Sequence, residues 1–451
     1  MQDFFQNKVL PAVMRFVNTR GVRAIKDGLV YPMPLIIVGA IFLLLFQLPI
    51  ESAANFVEST GVVPYLAHAY TSTFAIIGLI AALGVGYQWA KNEGWEPLSS
   101  GIIAIAVFLI FIPDYIGLDG ITAADAEGTA VTTVDGLAKV WLGGQGMIGA
   151  IIAGLLTGSV YSWFLKKDIR IKMPEGVPDG VAAAFTGLIP AAVLITGATI
   201  IYGICDGIAG VTPIELIYVW LQTPLQGFGD SLIGIIVFET LIPFLWWFGV
   251  HGATVVGSVT SPITLANNAE NAKIFQDLLA SGMTRPEALA AMGSHGAHIF
   301  TDPFVNCFQA ITGSGVTMGL VIYMCFFAKS AQFKTVGKLG LGSGIFNINE
   351  PILFGTPIVM NPKLFLPFIL SPVVGNCTAY LATRFGLIPY TTGVTVPWTT
   401  PPIFSGLICI GWQGAVMQAL MLVISFALYF PFARSVDNEL YENEQAAEAE
   451  N

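Results

Sequence analysis

The sequence predicts an all-α polytopic membrane protein, and three observations carry that prediction. Only 11% of the 451 residues are charged while 55% are hydrophobic, against roughly 25% charged in a soluble domain. The mean hydropathy is +0.73. No Lys or Arg occurs between Met173 and Ala272. A soluble chain of this length with so few charges has no means of covering its surface. This composition and a net charge of −10 exclude a nucleic-acid binder, a disordered scaffold and a secreted disulfide protein. The cysteines, Cys205, Cys307, Cys325, Cys377 and Cys409, share no CxxC spacing and sit in apolar surroundings. They read as small buried hydrophobes.

Residues 1–27 repeat apolar positions at helical spacing (Phe4, Phe5, Val9, Leu10, Val13, Met14, Val17) with Lys8, Arg15, Arg20, Arg23 and Lys26 between them. With no small-residue cleavage site, this reads as an amphipathic helix on the cytoplasmic membrane surface, not a signal peptide. A hydrocarbon core about 30 Å thick needs roughly 20 apolar residues per helix. Candidate spans lie near 29–50, 66–90, 100–117, 143–165, 180–203, 229–250, 304–328, 364–384 and 405–432, with a weaker one at 208–226 broken by Pro213 and Pro224. Two apolar stretches, 245–262 and 340–360, are too rich in Gly and Pro to cross as regular helices. The basic residues before the first span, Lys91, the cluster Lys166, Lys167, Arg170 and Lys172, and the trio Lys329, Lys334 and Lys338 all belong inside by the positive-inside rule. The loop 118–140, with Asp119, Asp125, Glu127 and Asp135, suits the outside. Ten crossings with both termini cytoplasmic satisfy all of these. The tail 435–451 holds six acidic residues and no base. It reads as a solvated extension, with an acidic docking peptide as the alternative.

Polar residues within apolar segments are costly and therefore informative. His251 follows the apolar run Phe244–Val250 and stands between Gly249 and Gly252. It is either a proton-managing group or an interfacial histidine beneath a tryptophan belt. Glu350 lies in Gly344–Gly355, beside Asn347 and Asn349 and before Pro351. Broken, polar backbone at membrane depth belongs along a water-filled cavity, where transporters place their substrates. Trp398 sits in the Pro/Thr-rich run Val394–Pro402, either as an interface anchor or as a flat face for a sugar ring. Carboxamides, a carboxylate, an imidazole and an indole together suit a carbohydrate. The long apolar stretches offer no cation to an anionic substrate. Glu239 and Asp206 are further intramembrane acids, each readable as a proton or ion site or as a structural partner. No Walker, HExxH or GxSxG sequence is present, and Gly313-Ser314-Gly315 is not a dinucleotide fingerprint. No cofactor or metal is therefore expected.

The motifs WWFGVHG, FNINEPILFGTPIVMNP and VPWTTPP, with the run IKDGLVYPMPLIIVGA, resemble the membrane enzyme IIC component of the bacterial phosphotransferase system (PTS), lactose/cellobiose (diacetylchitobiose) family. The resemblance covers essentially the whole chain. It implies a permease that brings a β-linked disaccharide such as cellobiose, diacetylchitobiose or lactose inward for phosphorylation. It also implies a homodimer in the cell membrane, with ten transmembrane helices and two re-entrant hairpins per protomer. Residues 28–205 would form the dimerising half, 206–434 the half holding the sugar, and 435–451 a cytoplasmic tail. His251 and Glu350 would contact the hydroxyl that is phosphorylated, and Gly252, Asn347, Asn349 and Trp398 would surround the sugar. The chain would be a component of a phosphotransferase, not a stand-alone catalyst. The phospho-cysteine would sit on enzyme IIB, a separate chain supplied by IIA, because every cysteine here lies in membrane-type sequence. An ion-coupled secondary transporter, with Glu239 or Glu350 on the proton path, is the alternative. An integral membrane hydrolase lacks any nucleophile constellation. The segment 264–297 and its His295, together with His298 just beyond it, read as a lid, a partner contact or a plain amphipathic helix.

Overall fold

The computed structural model describes residues 18–46, 56–117, 133–174, 176–355 and 358–449, with isolated positions 11, 15, 16, 123, 124, 130 and 131. Most of the expected N-terminal amphipathic helix lies outside the described residues. Its end is the helix Arg20–Gly28, which Arg20 ties to Glu93 at 2.8 Å. The chain is mainly helical. Its only strands among the described residues are two short antiparallel ribbons, Tyr115–Gly117 with Thr133–Asp135 and Ala123–Ala124 with Ala130–Val131.

Six helices among the described residues are long and apolar enough to cross a membrane: Arg20–Leu45, Val63–Asn92, Met147–Lys166, Leu188–Ala209, Pro362–Arg384 and Trp412–Ala447. Pro213–Gly229 with Leu232–Trp247, broken at 230–231, makes a seventh if counted as one span. Two expectations need correction. The apolar stretch 304–328 is not one helix. It is Asp302–Phe304, a π-helical turn Val305–Gln309, an irregular loop, and then the helix Met318–Phe326. The stretch 245–262, expected to be interrupted throughout, breaks only at 248–251. From Gly252 a continuous helix runs 29 residues to Ala280, with Pro262 inside it.

The chain divides into two compact units, the first comprising residues up to Phe42 with Pro64–Leu225 and the second Leu43–Val63 with Gln226–Asn451. In the first, glycines bring helix backbones together. A Cβ on Gly28 would lie 2.7 Å from Val85 Cα, and one on Gly158 would lie 2.4 Å from Trp89 Cβ. With no hydrophobic driving force in lipid, such backbone approach supplies the packing. The helix Leu188–Ala209 leaves Ile200, Ile204 and Ile208 exposed.

In the second unit, Leu232–Trp247 packs on Pro362–Arg384, and the long helix Trp412–Ala449 packs on both Pro362–Arg384 and Met318–Phe326. From Ser435 to Ala449 the acidic tail is the end of that long helix. Asp437 is buried and accepts from the amides of Lys329 and Ser330, while Glu444 caps the helix Ala331–Ile345 through Ala331 N and Gln332 N, both at 3.0 Å. Carboxylates satisfy orphan amides and oppose the dipole at a helix start. Glu239 is buried and accepts from Asn376 Nδ2 at 3.0 Å between two helices.

The segment that resisted a sequence reading is an internal clamp. Asn267, Asn268 and Asn271 project from Gly252–Ala280 and donate to the carbonyls of Phe300, Gly393 and Thr391. His298 lies between two carboxylates, its Nδ1 bonded to Asp230 and its Nε2 to Glu270 at 3.0 Å. Asp230 also accepts from the amides of Ile299 and Phe300. Burial disfavours a charged imidazole, but the two carboxylates override it and raise the His298 pKa from 6.5 to about 9. His295 instead makes a local contact with the Ala291 carbonyl at 2.9 Å. Because the His298 pKa is raised on folding, its stabilisation is complete below about pH 6.5 and is lost as pH rises through about 9. The thermal-unfolding advantage of the wild type over His298→Gln should therefore be full in mildly acidic detergent buffer and shrink across that window. An advantage independent of pH would remove the imidazolium from the clamp.

Candidate substrate site

One cavity of about 400 Å³ in the second unit gathers most of the sequence-predicted residues, with His251, Asn347, Asn349, Glu350 and Trp398 all lining it. Its volume falls in the range of small-molecule sites, roughly 300–1,000 Å³. Asp302 joins Glu350 as a second carboxylate, and among the described residues no Lys or Arg lines the cavity.

His251 ends the chain break after Leu232–Trp247 and caps the helix Gly252–Ala280. Its Nδ1 accepts the Thr254 amide at 3.2 Å. A backbone N–H can only donate, so Nδ1 is the unprotonated nitrogen and Nε2 is left for a ligand. The ring lies 4.4 Å from that of Trp246. Gly252 does not line the cavity. Its place is steric, since a Cβ there would stand 2.0 Å from the Ile242 carbonyl oxygen. Any larger residue would push His251 off the preceding helix.

Glu350 opens the short helix Glu350–Gly355 and makes no hydrogen bond or ion pair with the described residues. The two carboxamides beside it are committed to protein. Asn347 accepts the Thr312 amide at 2.7 Å and donates to the carbonyls of Trp398 and Thr400. Asn349 donates to the Ser314 carbonyl at 2.7 Å and to Thr317 Oγ1 at 2.9 Å. Both are 3% exposed, so they border the cavity while their amides hold its walls. The wall they hold is strained. Thr312, Gly313, Gly315, Val316 and Asn347 itself all have positive φ, a region that non-glycine residues enter only when their surroundings hold them there. Trp398 is 46% exposed and faces the cavity from a loop whose carbonyls are fixed by Asn347.

Sequence reasoning missed Asp302, Asn306, Gln309 and the polar line Thr260, Ser261 and Thr264, all of which border the cavity. Thr260 and Thr264 stand one helical turn apart. That spacing becomes visible only once 252–280 is read as a helix. Asp302 was legible as an acid at the mouth of an apolar run, in Thr301-Asp302-Pro303, a helix-start pattern.

Comparisons with known proteins find relatives along almost the whole chain. The family model described as "Phosphotransferase system, EIIC" matches residues 26–372. The chain is similar to the lichenan permease IIC component of Bacillus subtilis (strain 168), with 37% identity over 99% of this chain and 96% of the relative. It is also similar to the cellobiose-specific EIIC component of Geobacillus stearothermophilus, with 35% identity over 98% and 95%. The crystal structure of the transporter ChbC, the IIC component from the N,N'-diacetylchitobiose-specific phosphotransferase system, superposes with a TM-score of 0.88 at 34% identity, covering 98% of this chain and 99% of that one.

The strained wall is testable at Gly313, a lining residue with no side chain of its own. A Cβ at Gly313 would lie 2.3 Å from Asn349 Cγ, at a φ of +82°. Gly313→Ala should cost about 1–3 kcal/mol and weaken ligand binding alongside it. Unchanged Tm and affinity would show that Asn349 does not anchor this loop.

Proposed function

The chain belongs to the phosphotransferase system EIIC family, and from that premise we propose that it carries a β-linked disaccharide inward and presents it to phosphorylated enzyme IIB. As a multi-pass membrane permease of this system it takes a sugar and works with an EIIB partner. The observation that carries the finer reading is the meeting, among the described residues, of a carboxylate without a partner, an imidazole whose Nε2 is unbonded and an exposed indole around one cavity lined by no Lys or Arg. Indole covers the C–H face of a pyranose. Carboxylate and imidazole handle a hydroxyl proton. A cavity without a cation offers no charge partner to an anionic sugar. Relatives named for lichenan and cellobiose support a β-glucoside as the cargo.

In this mechanism the sugar hydroxyl attacks the phosphorus of the IIB phospho-cysteine. The S–P bond breaks, the O–P bond forms and the thiolate leaves on IIB. Glu350 accepts the hydroxyl proton, and His251 Nε2 orients the oxygen. A positioned base of this kind contributes about 10²–10⁴-fold. The breaks at 248–251 and 346–349 would be the tips of the two re-entrant hairpins, within ten crossings that leave both termini inside. The apolar face of Leu188–Ala209 fits burial against a second copy in a homodimer. Ion coupling gains no support from Glu239, whose Oε2 accepts from Asn376 between two helices and which does not itself line the cavity.

Inverted membrane vesicles given IIA, IIB and phosphoenolpyruvate should convert cellobiose to its phosphate, and a protonophore should not stop them. Transport abolished by the protonophore, with unmodified sugar as the product, would overturn group translocation. Within that assay Glu350→Gln should abolish phosphorylation while reducing sugar binding less, and His251→Gln should follow it. A Glu350→Gln protein that phosphorylates at the wild-type rate would remove the base from the scheme. Trp398→Phe should retain more affinity than Trp398→Ala. Equal affinity of the wild type and Trp398→Ala would reduce Trp398 to an anchor.

A further inference from the structure

The cavity holds a second carboxylate that the phosphorylation chemistry does not use. Asp302 begins the short helix Asp302–Phe304 and borders the cavity. Its Oδ2 is fully engaged, accepting from Thr395 Oγ1 at 2.5 Å and from Asn306 Nδ2 at 3.0 Å. Its Oδ1 accepts nothing from the described residues. Asn306 Nδ2 also reaches the Val396 carbonyl at 3.2 Å. The carboxylate is thus locked to the loop bearing Trp398, with one oxygen spent on the protein and one left over.

An ionised carboxylate only accepts, and each oxygen offers about two lone-pair sites. Among the described residues no cationic side chain lines the cavity to take up the free oxygen. The partner that fits is a neutral donor carried by the cargo. Asp302 also has no freedom to turn away, because rotating it would break the contacts to both Thr395 and Asn306. A fixed acceptor beside the indole of Trp398 matches a ring whose C–H face stacks while its edge hydroxyls point sideways.

We propose that Asp302 is a specificity-determining residue that accepts a hydrogen bond from a ring hydroxyl of the disaccharide, and so selects hydroxylated, uncharged sugars over those lacking or masking that hydroxyl. The inference rests on the reading of the cavity as a sugar site. A site built to hydrogen-bond a hydroxyl rejects analogues without it, because its own polar group is then left unpaired. A hydrogen bond to a charged group corresponds to a loss of about 10–100-fold in affinity when removed.

The test is binding of cellobiose and a set of its monodeoxy analogues to the purified full-length protein in lipid nanodiscs, followed by calorimetry. In the wild type, one deoxy analogue should bind about 10–100-fold more weakly than cellobiose. In Asp302→Asn, cellobiose should lose a similar factor, and that same analogue should lose no more. Asp302→Glu keeps the charge and displaces the oxygen, so it should reorder the analogues. It gives the same reading should Asp302→Asn fail to fold. Wild-type affinity in both variants, or a full additional penalty for every deoxy analogue in Asp302→Asn, would overturn the assignment alone. A wild-type protein that binds no β-disaccharide would overturn the sugar reading, and this inference with it.

Discussion

Unwound backbone in apolar surroundings must find hydrogen-bond partners inside the protein, and this constraint organises the whole substrate-bearing unit. The partners are mostly carboxamides. Gln418, in the second turn of Trp412–Ala449, accepts the amides of Ile403 and Gly406 and donates to the Cys307 carbonyl and Ser405 Oγ. Ser425 and Tyr429, about two and three turns further on, donate to the carbonyls of Val316 and Gly315. Asn347 and Asn349 hold the same loop from its other side, and the asparagines of Gly252–Ala280 secure 298–301 and 391–393. A carboxamide carries both a donor and an acceptor on a neutral group. It can therefore replace a missing helical bond without bringing a charge to membrane depth.

The same constraint explains which parts of this molecule were readable from its sequence. Long apolar helices declare themselves by composition, and so did Leu188–Ala209 and Pro362–Arg384. The residues 304–328 carry the same composition but fold as a π-turn, a strained loop and a short helix. Hydropathy counts apolar side chains and does not see positive φ at Thr312 or Val316. Conversely, Gly252–Ala280 was hidden by its own Asn267, Asn268, Glu270 and Asn271, which look solvent-facing until their backbone partners are known. The locations of His251, Glu350 and Trp398 were legible because a polar or aromatic residue beside Gly or Pro in apolar sequence has few inexpensive explanations. The orientations of Asn347 and Asn349 were not. Nothing in a linear motif distinguishes an amide turned to a ligand from one turned to the next loop.

Charge is distributed in the unit with similar economy. His298 is held between Asp230 and Glu270, so the three groups share their charges within a clamp. Asp437 and Glu444 are spent on amides at the start of Ala331–Ile345, the helix that leads to Asn347 and Glu350. Asp302 and Glu350, which border the cavity, each keep an oxygen that no described residue claims, as the buried Glu239 does through its Oε1. The cavity is thus an acceptor-rich enclosure.

The division of labour between Asn347 and Thr260 has a consequence for how such a carrier changes its diet. Asn347 joins three stretches of backbone, so nearly any replacement disturbs the enclosure before it alters selectivity. Thr260, Ser261 and Thr264 face the same space from a continuous helix with Pro262 inside it, and among the described residues the hydroxyls of Thr260 and Thr264 bond only within that helix. Variation there leaves the scaffold standing. Drift toward new sugars, in nature or in the laboratory, has an open route along that helical stripe and a closed one through the asparagines. The enclosure can therefore be old and fixed while the menu it serves is recent.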